Sequence, residues 1–427
     1  MVSRKGLGPK MLRRTVLKGA GALALAPLLV GCGLKQAFAA QPGDKSLLGT
    51  SKYNTRLVLL GTTGGMTWWP GSNRASNSQV LLVGEAMYLF DLGAGACARL
   101  AEGFNCGHFV VRDGQRTQLE LSMFLADMRA VFFTHLHMDH LGDYPTFLEI
   151  GARAGYAQKQ PLTVIGPGDR GRLDDNRSGY AGTVIQARQS DPALTTPTPG
   201  TRLMTDHILQ AFAQTFNDCA QDEGYPDIPK SIVVKEIGDP AALPWPPGFV
   251  IPDPAKPWTA DITCPAMEPF EVYRDDRLRV TAILVDHFEV YPAFAFRCDT
   301  ADGSVVISGD TGPDTRGNLQ KLAKGADVLV HEVIDDFWIK ACYQGVKEGD
   351  PAWPLYHHVV TAHTSTADVG RVAQLCGVKK LVLSHIAPAN APVARLRLAQ
   401  RNFSGTLVVG EDLMEIGLGK PRGRSKA

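Results

Sequence analysis

Ala130-Val131-Phe132-Phe133-Thr134-His135-Leu136-His137-Met138-Asp139-His140 holds the densest group of metal-ligand side chains in the chain. Its first four residues are apolar and rich in β-branched and aromatic types, which predicts a short buried strand. The strand carries His135, His137, Asp139 and His140 to the loop at its end, and the loop turns into a helix near Gly142. On extended backbone, residues two apart point the same way, so His135 and His137 can grip one ion together. Asp139 and His140, past the turn, can reach a second ion beside it. A surface histidine cluster without metal is the plain alternative. It leaves this density of ligands behind a buried strand unexplained.

Outward from this stretch, Arg56–Leu60 reads as a strand and Gly61-Thr62-Thr63-Gly64-Gly65 as a loop that needs glycine's backbone freedom. Gln79–Val83 and Ala86–Phe90 form a predicted hairpin around Gly84-Glu85, followed by Asp91-Leu92-Gly93-Ala94-Gly95. Trp68 and Trp69, beside Pro70, either rim the site or pack in the core. Leu119–Asp127 is a helix candidate, and Leu162–Gly168 is a strand running into a turn. From about 169 to 270 prolines gather, at Pro197, Pro199, Pro244, Pro246 and beyond, around one amphipathic helix near Met204–Asp218. This stretch reads as an insertion that caps the site, with a partner-binding arm as the alternative. Regular pattern returns at Leu278–Val285, ahead of Asp286-His287. Ala293–Cys298 and Ser304–Ile307 flank an Asp302-Gly303 turn and lead to Ser308-Gly309-Asp310-Thr311. Asp327–Val330 runs into His331-Glu332, His363 opens a helix through Leu375, and Lys380–Leu383 runs into Ser384-His385. Most of these polar residues fall just past a predicted strand. No internal repeat is visible.

His-X-His-X-Asp-His resembles the central motif of the metallo-β-lactamase superfamily. The early strand, Gly-rich loop and hairpin ending in Asp-X-Gly-X-Gly are similar to the opening of its ribonuclease Z and arylsulfatase branch. The resemblance covers most of residues 55–415. It implies an α/β fold, the four-layer αββα sandwich, over residues 55–420, with 169–270 as an inserted cap. It further implies that His135, His137 and His287 hold a first metal and Asp139, His140 and His385 a second, with Asp310 as the bridging carboxylate. Zinc is the default for two ions held mostly by imidazole, and manganese or iron fits the same ligand types. Two cations about 3.5–4 Å apart lower the pKa of a water, so a metal-activated hydroxide is the implied nucleophile, with Asp139 able to take its proton. Asp91 is an expected partner of the ligands. His363 is the implied general acid and Glu332 the carboxylate that orients it, because imidazole titrates near neutral pH. His357 and His358 are expected as a solvated pair, with lining of the pocket as the alternative, and His108 and His207 as structural residues.

The chain has 427 residues, 44% hydrophobic and 20% charged, with a net charge of +1. That is enough for one large domain with an insertion, and the near-neutral charge argues against nucleic acid as a partner. Residues 1–40 read as a leader. Arg13-Arg14 precedes a weakly apolar stretch, Gly19–Val30, too short for a stable membrane anchor, and Ala37-Phe38-Ala39 offers a cleavage site. The pattern resembles a twin-arginine signal, which implies the twin-arginine export machinery as a partner and a periplasmic location. Leu29-Val30-Gly31-Cys32 also resembles a lipobox, so a lipoprotein anchored through Cys32 is the alternative. Residues 41–54 are an expected linker. The eight cysteines show no Cys-X-X-Cys spacing and are expected mostly as small buried residues. The oligomeric state is left open, with a homodimer among the options.

The expected function is therefore an exported dinuclear metallo-hydrolase acting on a small anionic ester, either a phosphodiester or an aryl sulfate. A ribonuclease Z-like endonuclease is an alternative. The tRNA-gripping arm of that family is inserted between the third-motif His and the bridging Asp, and here residues 288–309 alone separate the two. A lactonase, a β-lactamase-like enzyme or a biosynthetic hydrolase of the kind found beside guanitoxin-type pathways are others. Outside enzymes, the alternative is a metal-binding protein with a lapsed active site.

Overall fold

The computed structural model describes residues 51–65, 68–104, 109–112, 115–118, 123–170, 198–251 and 259–422. The expected signal, the cleavage site and Cys32 lie outside them, as do residues 41–50 of the linker, Cys106 and His108. In chain order the strands are β1 (Thr55–Gly61), β2 (Ser78–Val83), β3 (Ala86–Phe90), β4 (Phe109–Arg112), β5 (Gln115–Gln118), β6 (Met128–Phe132), β7 (Leu162–Pro167) and β8 (Ile232–Ile237). They continue as β9 (Phe270–Arg274), β10 (Arg279–Leu284), β11 (Phe294–Thr300), β12 (Gly303–Ile307), β13 (Val328–Ile334), β14 (Lys380–Ala387), β15 (Thr406–Val409) and β16 (Glu415–Leu418). Two seven-stranded sheets result, ordered β16-β1-β2-β3-β6-β7-β8 and β9-β10-β11-β12-β13-β14-β15, while β4 and β5 pair with each other. In each large sheet the first four strands are antiparallel. The last three run parallel to their neighbours. The chain thus builds one sheet plan twice. That is a repeat of topology which the sequence does not display.

Alternation along β1 shows how the layers form. Leu57 and Leu59 join the core between the sheets, while Val58 and Leu60 join a second core on the outer face of the first sheet. Phe90 stacks on Phe132 at 4.8 Å, and Phe132 meets Phe296 of the other sheet at 5.6 Å. Helix Tyr144–Arg153 covers the first sheet through Tyr144, Phe147 and Leu148, and helix Thr366–Cys376 covers the second through Val369, Val372 and Ala373. Helix, sheet, sheet, helix is the order of the four layers.

Local differences from the sequence reading have physical causes. The single helix expected near Met204–Asp218 is two, Thr201–Ala211 and Ala213–Asp222, because Phe212 leaves helical geometry at φ −105°, ψ 15°. Of the stretch 169–270, the described part supplies these helices and β8, which pairs with β7 along its whole length as the edge of the first sheet. The end of the expected linker is tied down: Ser51 donates to Glu415 and Asn54 to Asp302. Both β13 and β14 run further than their apolar cores suggest, so His331, Glu332 and His385 lie inside strands. The β13–β14 register shifts between His331 and Val333, and His385 adopts φ 43°. Irregularity of this kind re-aims side chains at a sheet's edge. Cys264, Cys298 and Cys376 are buried thiols, Cys342 is exposed, and all six cysteines among the described residues are free.

Candidate metal centre

The loop after β6 is held from beneath by one carboxylate. Asp91, one residue past β3 and fully buried, accepts the Thr134 backbone N–H at 2.8 Å and the Thr134 hydroxyl at 2.9 Å. Its Oδ2 also accepts from Asn77 at 3.0 Å and from His140 Nδ1 at 2.8 Å. A proton on His140 Nδ1 leaves Nε2 as the free acceptor, facing the cluster. His287 follows the same logic, with Nδ1 donating to the Ala362 carbonyl at 2.9 Å. His135 Nδ1 lies 3.2 Å from the Thr134 hydroxyl. Glycine is required twice for this packing. A Cβ on Gly93 would stand 2.2 Å from the Asp139 carbonyl, and one on Gly64 2.5 Å from His385 Nδ1.

The seven residues expected as ligands converge. Donor atoms of His135, His137 and His287 lie within 4.8 Å of one another, as do those of Asp139, His140, Asp310 and His385. Asp310, brought in by the turn after β12, stands between the two groups. Its Oδ2 lies 3.8 Å from His135 Nε2, 3.9 Å from His287 Nε2 and 3.2 Å from His385 Nε2. Its Oδ1 lies 3.3 Å from His140 Nε2. Asp139 Oδ2 accepts the Gly65 backbone N–H at 2.9 Å and sits 3.1 Å from His385 Nε2.

The donor set fits divalent cations on its own chemistry. His135 Nε2, His140 Nε2, His287 Nε2 and Asp310 Oδ1 are buried and have no hydrogen-bond partner. That is a costly arrangement for four polar atoms unless another group satisfies them. Burial and neighbouring imidazoles hold His135 well below its usual pKa; burial does the same for His287, against the pull of Asp310. Neutral imidazole is the ligating form. Burial opposes charge on Asp139 and Asp310, yet the surrounding histidines keep both carboxyls below the ordinary range. Burial likewise opposes charge on His140 and His385, yet Asp310 and Asp139 push both upward. The pocket field thus favours positive charge, which a metal ion would supply.

Glu332 and His363 form an adjoining pair. His363 Nδ1 lies 3.0 and 3.1 Å from the two carboxylate oxygens of Glu332, which also accepts the Thr311 backbone N–H at 2.7 Å. Burial opposes charge on His363, but Glu332 overrides it and raises the imidazole to about 9. The His363 ring lies nearly parallel to that of His385, 5.9 Å away. His358 is not a solvated residue. Its ring stands 5.7 Å from His287 and 5.4 Å from His363, and burial lowers it to about 4. Helical spacing to His363 does not reveal this, because the backbone leaves the helix at Ala362. Trp68 is 89% exposed, while Trp69 donates to the Gly64 carbonyl at 2.9 Å and belongs to neither core.

No protein-family model matches the chain. It is similar to the ribonuclease Z of Mycobacterium bovis, 27% identical over 365 residues that cover 84% of this chain and 97% of the relative. The ribonuclease Z of Mycolicibacterium paratuberculosis is 26% identical over 369 residues, covering 86% and 99%. Among solved structures, the short form of human tRNase Z superposes with a TM-score of 0.50 at 20% identity, covering 86% of this chain and all of that one. The fold is the metallo-β-lactamase sandwich.

Proposed function

We propose that this chain, a metal-dependent hydrolase of the metallo-β-lactamase fold acting on ester bonds, cleaves a small anionic phosphodiester or aryl sulfate. The observation that carries the reading is Asp310 with its two oxygens between two donor groups, beside the Glu332–His363 pair. His135, His137 and His287 would hold one divalent cation, Asp139, His140 and His385 the other, and Asp310 would join both. Bound there, zinc, manganese or iron would lower the pKa of a water and neutralise charge developing on the ester. Asp139 accepts the attacking water's proton. Glu332 fixes His363 with Nδ1 toward itself, so Nε2 carries a proton to the departing oxygen.

The name of the relatives favours the phosphodiester over the sulfate. A ribonuclease Z-like endonuclease is the second reading for the same reason. Against a long RNA stands the short segment from His287 to Asp310, which is spent largely on β11 and β12 inside the sheet. Metal content and turnover of the purified protein on bis-p-nitrophenyl phosphate, p-nitrophenyl sulfate and a tRNA precursor test these readings together. Two metals and phosphodiester turnover are expected. Cleavage of the precursor alone would move the chain to the second reading, and hydrolysis of none would remove the ester assignment.

Export to the periplasm through a twin-arginine signal is proposed from Arg13-Arg14 and Ala37-Phe38-Ala39. N-terminal sequencing of the mature protein should begin at residue 40 or 41. A lipidated chain beginning at Cys32 would make it an anchored lipoprotein instead.

A further inference from the structure

Between Glu332 and His363 the chain leaves the sheet for residues 335–361, which carry helices Asp336–Cys342 and Trp353–Thr361. Phe337, Trp338, Tyr343, Trp353 and Tyr356 make five aromatic residues in this segment of 27, against 8% for the whole chain. All but Phe337 join a continuous run of rings. Trp69 meets Trp338 at 5.7 Å, Trp338 meets Tyr343 at 5.8 Å, and Tyr343 meets Tyr356 at 5.4 Å. Trp353 then touches Tyr356 at 5.7 Å and His357 at 5.3 Å, and His357 meets Phe288 at 4.9 Å.

Both ends of the run are fixed on the metal-binding loops. Trp69 hangs from Gly64, which abuts His385, and Phe288 follows His287 directly. Trp69, Trp338, Tyr343, Trp353, Tyr356 and Phe288 belong to neither hydrophobic core, and all six are only half-buried. Folding therefore does not account for them. Apart from Trp353, which stacks on His357, the rings are set edge-on or tilted to one another, an arrangement that keeps faces free to hold another aromatic ring by dispersion and quadrupole contact.

We infer that the 335–361 segment is an aryl-binding wall, and that the substrate's leaving group is a flat aromatic alcohol rather than an alkyl or sugar group; the inference rests on the ester-hydrolase reading above. The position of the wall supports the leaving-group side, since His358 joins its second helix to His363. Its charge selects a small ligand. Asp335, Asp336, Glu348 and Asp350 outnumber Lys340 and Lys347, so the segment carries a net −2 and offers no track for a polynucleotide backbone.

The test is calorimetric binding of phenylphosphonate and methylphosphonate to the metal-loaded full chain, which needs no turnover. The unmutated protein should bind the aryl compound about five-fold tighter. Trp338→Ala and Trp353→Ala should each shrink that margin, and Trp338→Phe should keep most of it. Equal affinities in the unmutated protein, or a margin unchanged in both alanine variants, would overturn the wall. So would a dimer on gel filtration that Trp338→Ala dissociates while no aryl margin exists, since the rings would then serve a second copy. Turnover of bis-p-nitrophenyl phosphate judges the ester reading separately. An intact aryl margin without turnover would remove that reading, whereas turnover without the margin would remove the wall.

Discussion

The two halves of the molecule share a sheet plan and divide the centre unequally. By position in the sheets, β3 corresponds to β12, β6 to β13 and β7 to β14. The first half places His135 and His137 in the loop after β6 and Asp139 and His140 on the short helix Met138–Leu141 that follows, and among the described residues the end of β7 adds no member to the cluster. The second half spreads its contribution: His287 after β10, Asp310 after β12, Glu332 within β13 and His385 within β14. The corresponding carboxylates Asp91 and Asp310 have parted in role. Asp91 stays behind the loop, receiving Thr134, Asn77 and His140, whereas Asp310 enters the cluster. A sheet plan built twice uses one half to supply a multidentate segment and the other to close it with single residues.

That division predicts unequal costs. The largest effect belongs to Asp310→Ala, since the two oxygens of this carboxylate lie close to histidines of both donor groups. The variant should lose at least one equivalent of metal, and turnover should fall roughly a thousandfold. Metal analysis after gel filtration decides it, and full occupancy of both sites would strip Asp310 of its joining role.

Asp91→Asn tests the other half of the comparison and should act through the loop rather than by contact. The amide keeps the volume but loses the charge and one acceptor oxygen beneath Thr134 and His140. Metal affinity should fall about ten- to a hundredfold, read by competition with a chelator of known affinity. A lower melting temperature with unchanged affinity would make Asp91 a purely structural residue and the contrast with Asp310 complete.

The same asymmetry explains what the sequence could reveal. A loop that packs four ligands into six residues after an apolar strand is legible as chemistry before any fold is known. His287, Asp310 and His385 are legible only in relation to that motif, because a single polar residue at a strand end has many uses. Glu332 and His385 lie inside strands that run past their apolar cores, with a register shift between β13 and β14 beside Glu332, and no local composition marks such a shift. For His358 the sequence leaves pocket lining and a solvated surface both open, since its approach to His287 and His363 depends on how a whole helix is seated. The aromatic segment was hidden for a related reason. Its residues are spread over two short helices, and only their spatial run from Trp69 to Phe288 separates them from ordinary core.

His363→Ala should leave metal binding untouched and sharpens the comparison furthest, because it separates closing the metal centre from serving the leaving group. The His363 ring touches neither Asp310 nor Asp139 by hydrogen bond; its partner is Glu332. Both metals should therefore remain. An ester of a poorly acidic alcohol needs a proton on its departing oxygen, so its hydrolysis should slow by roughly a hundredfold. Esters of p-nitrophenol, whose oxygen leaves readily as an anion, should slow much less. Glu332→Gln should move in the same direction by a smaller factor, since the amide can still accept from Nδ1 but no longer holds the imidazole protonated. A plot of log kcat against leaving-group acidity should be steeper for both variants than for the unmutated protein. Parallel lines would mean that His363 binds the ester without donating to it, and the second half would then contribute metal ligation and binding but no acid.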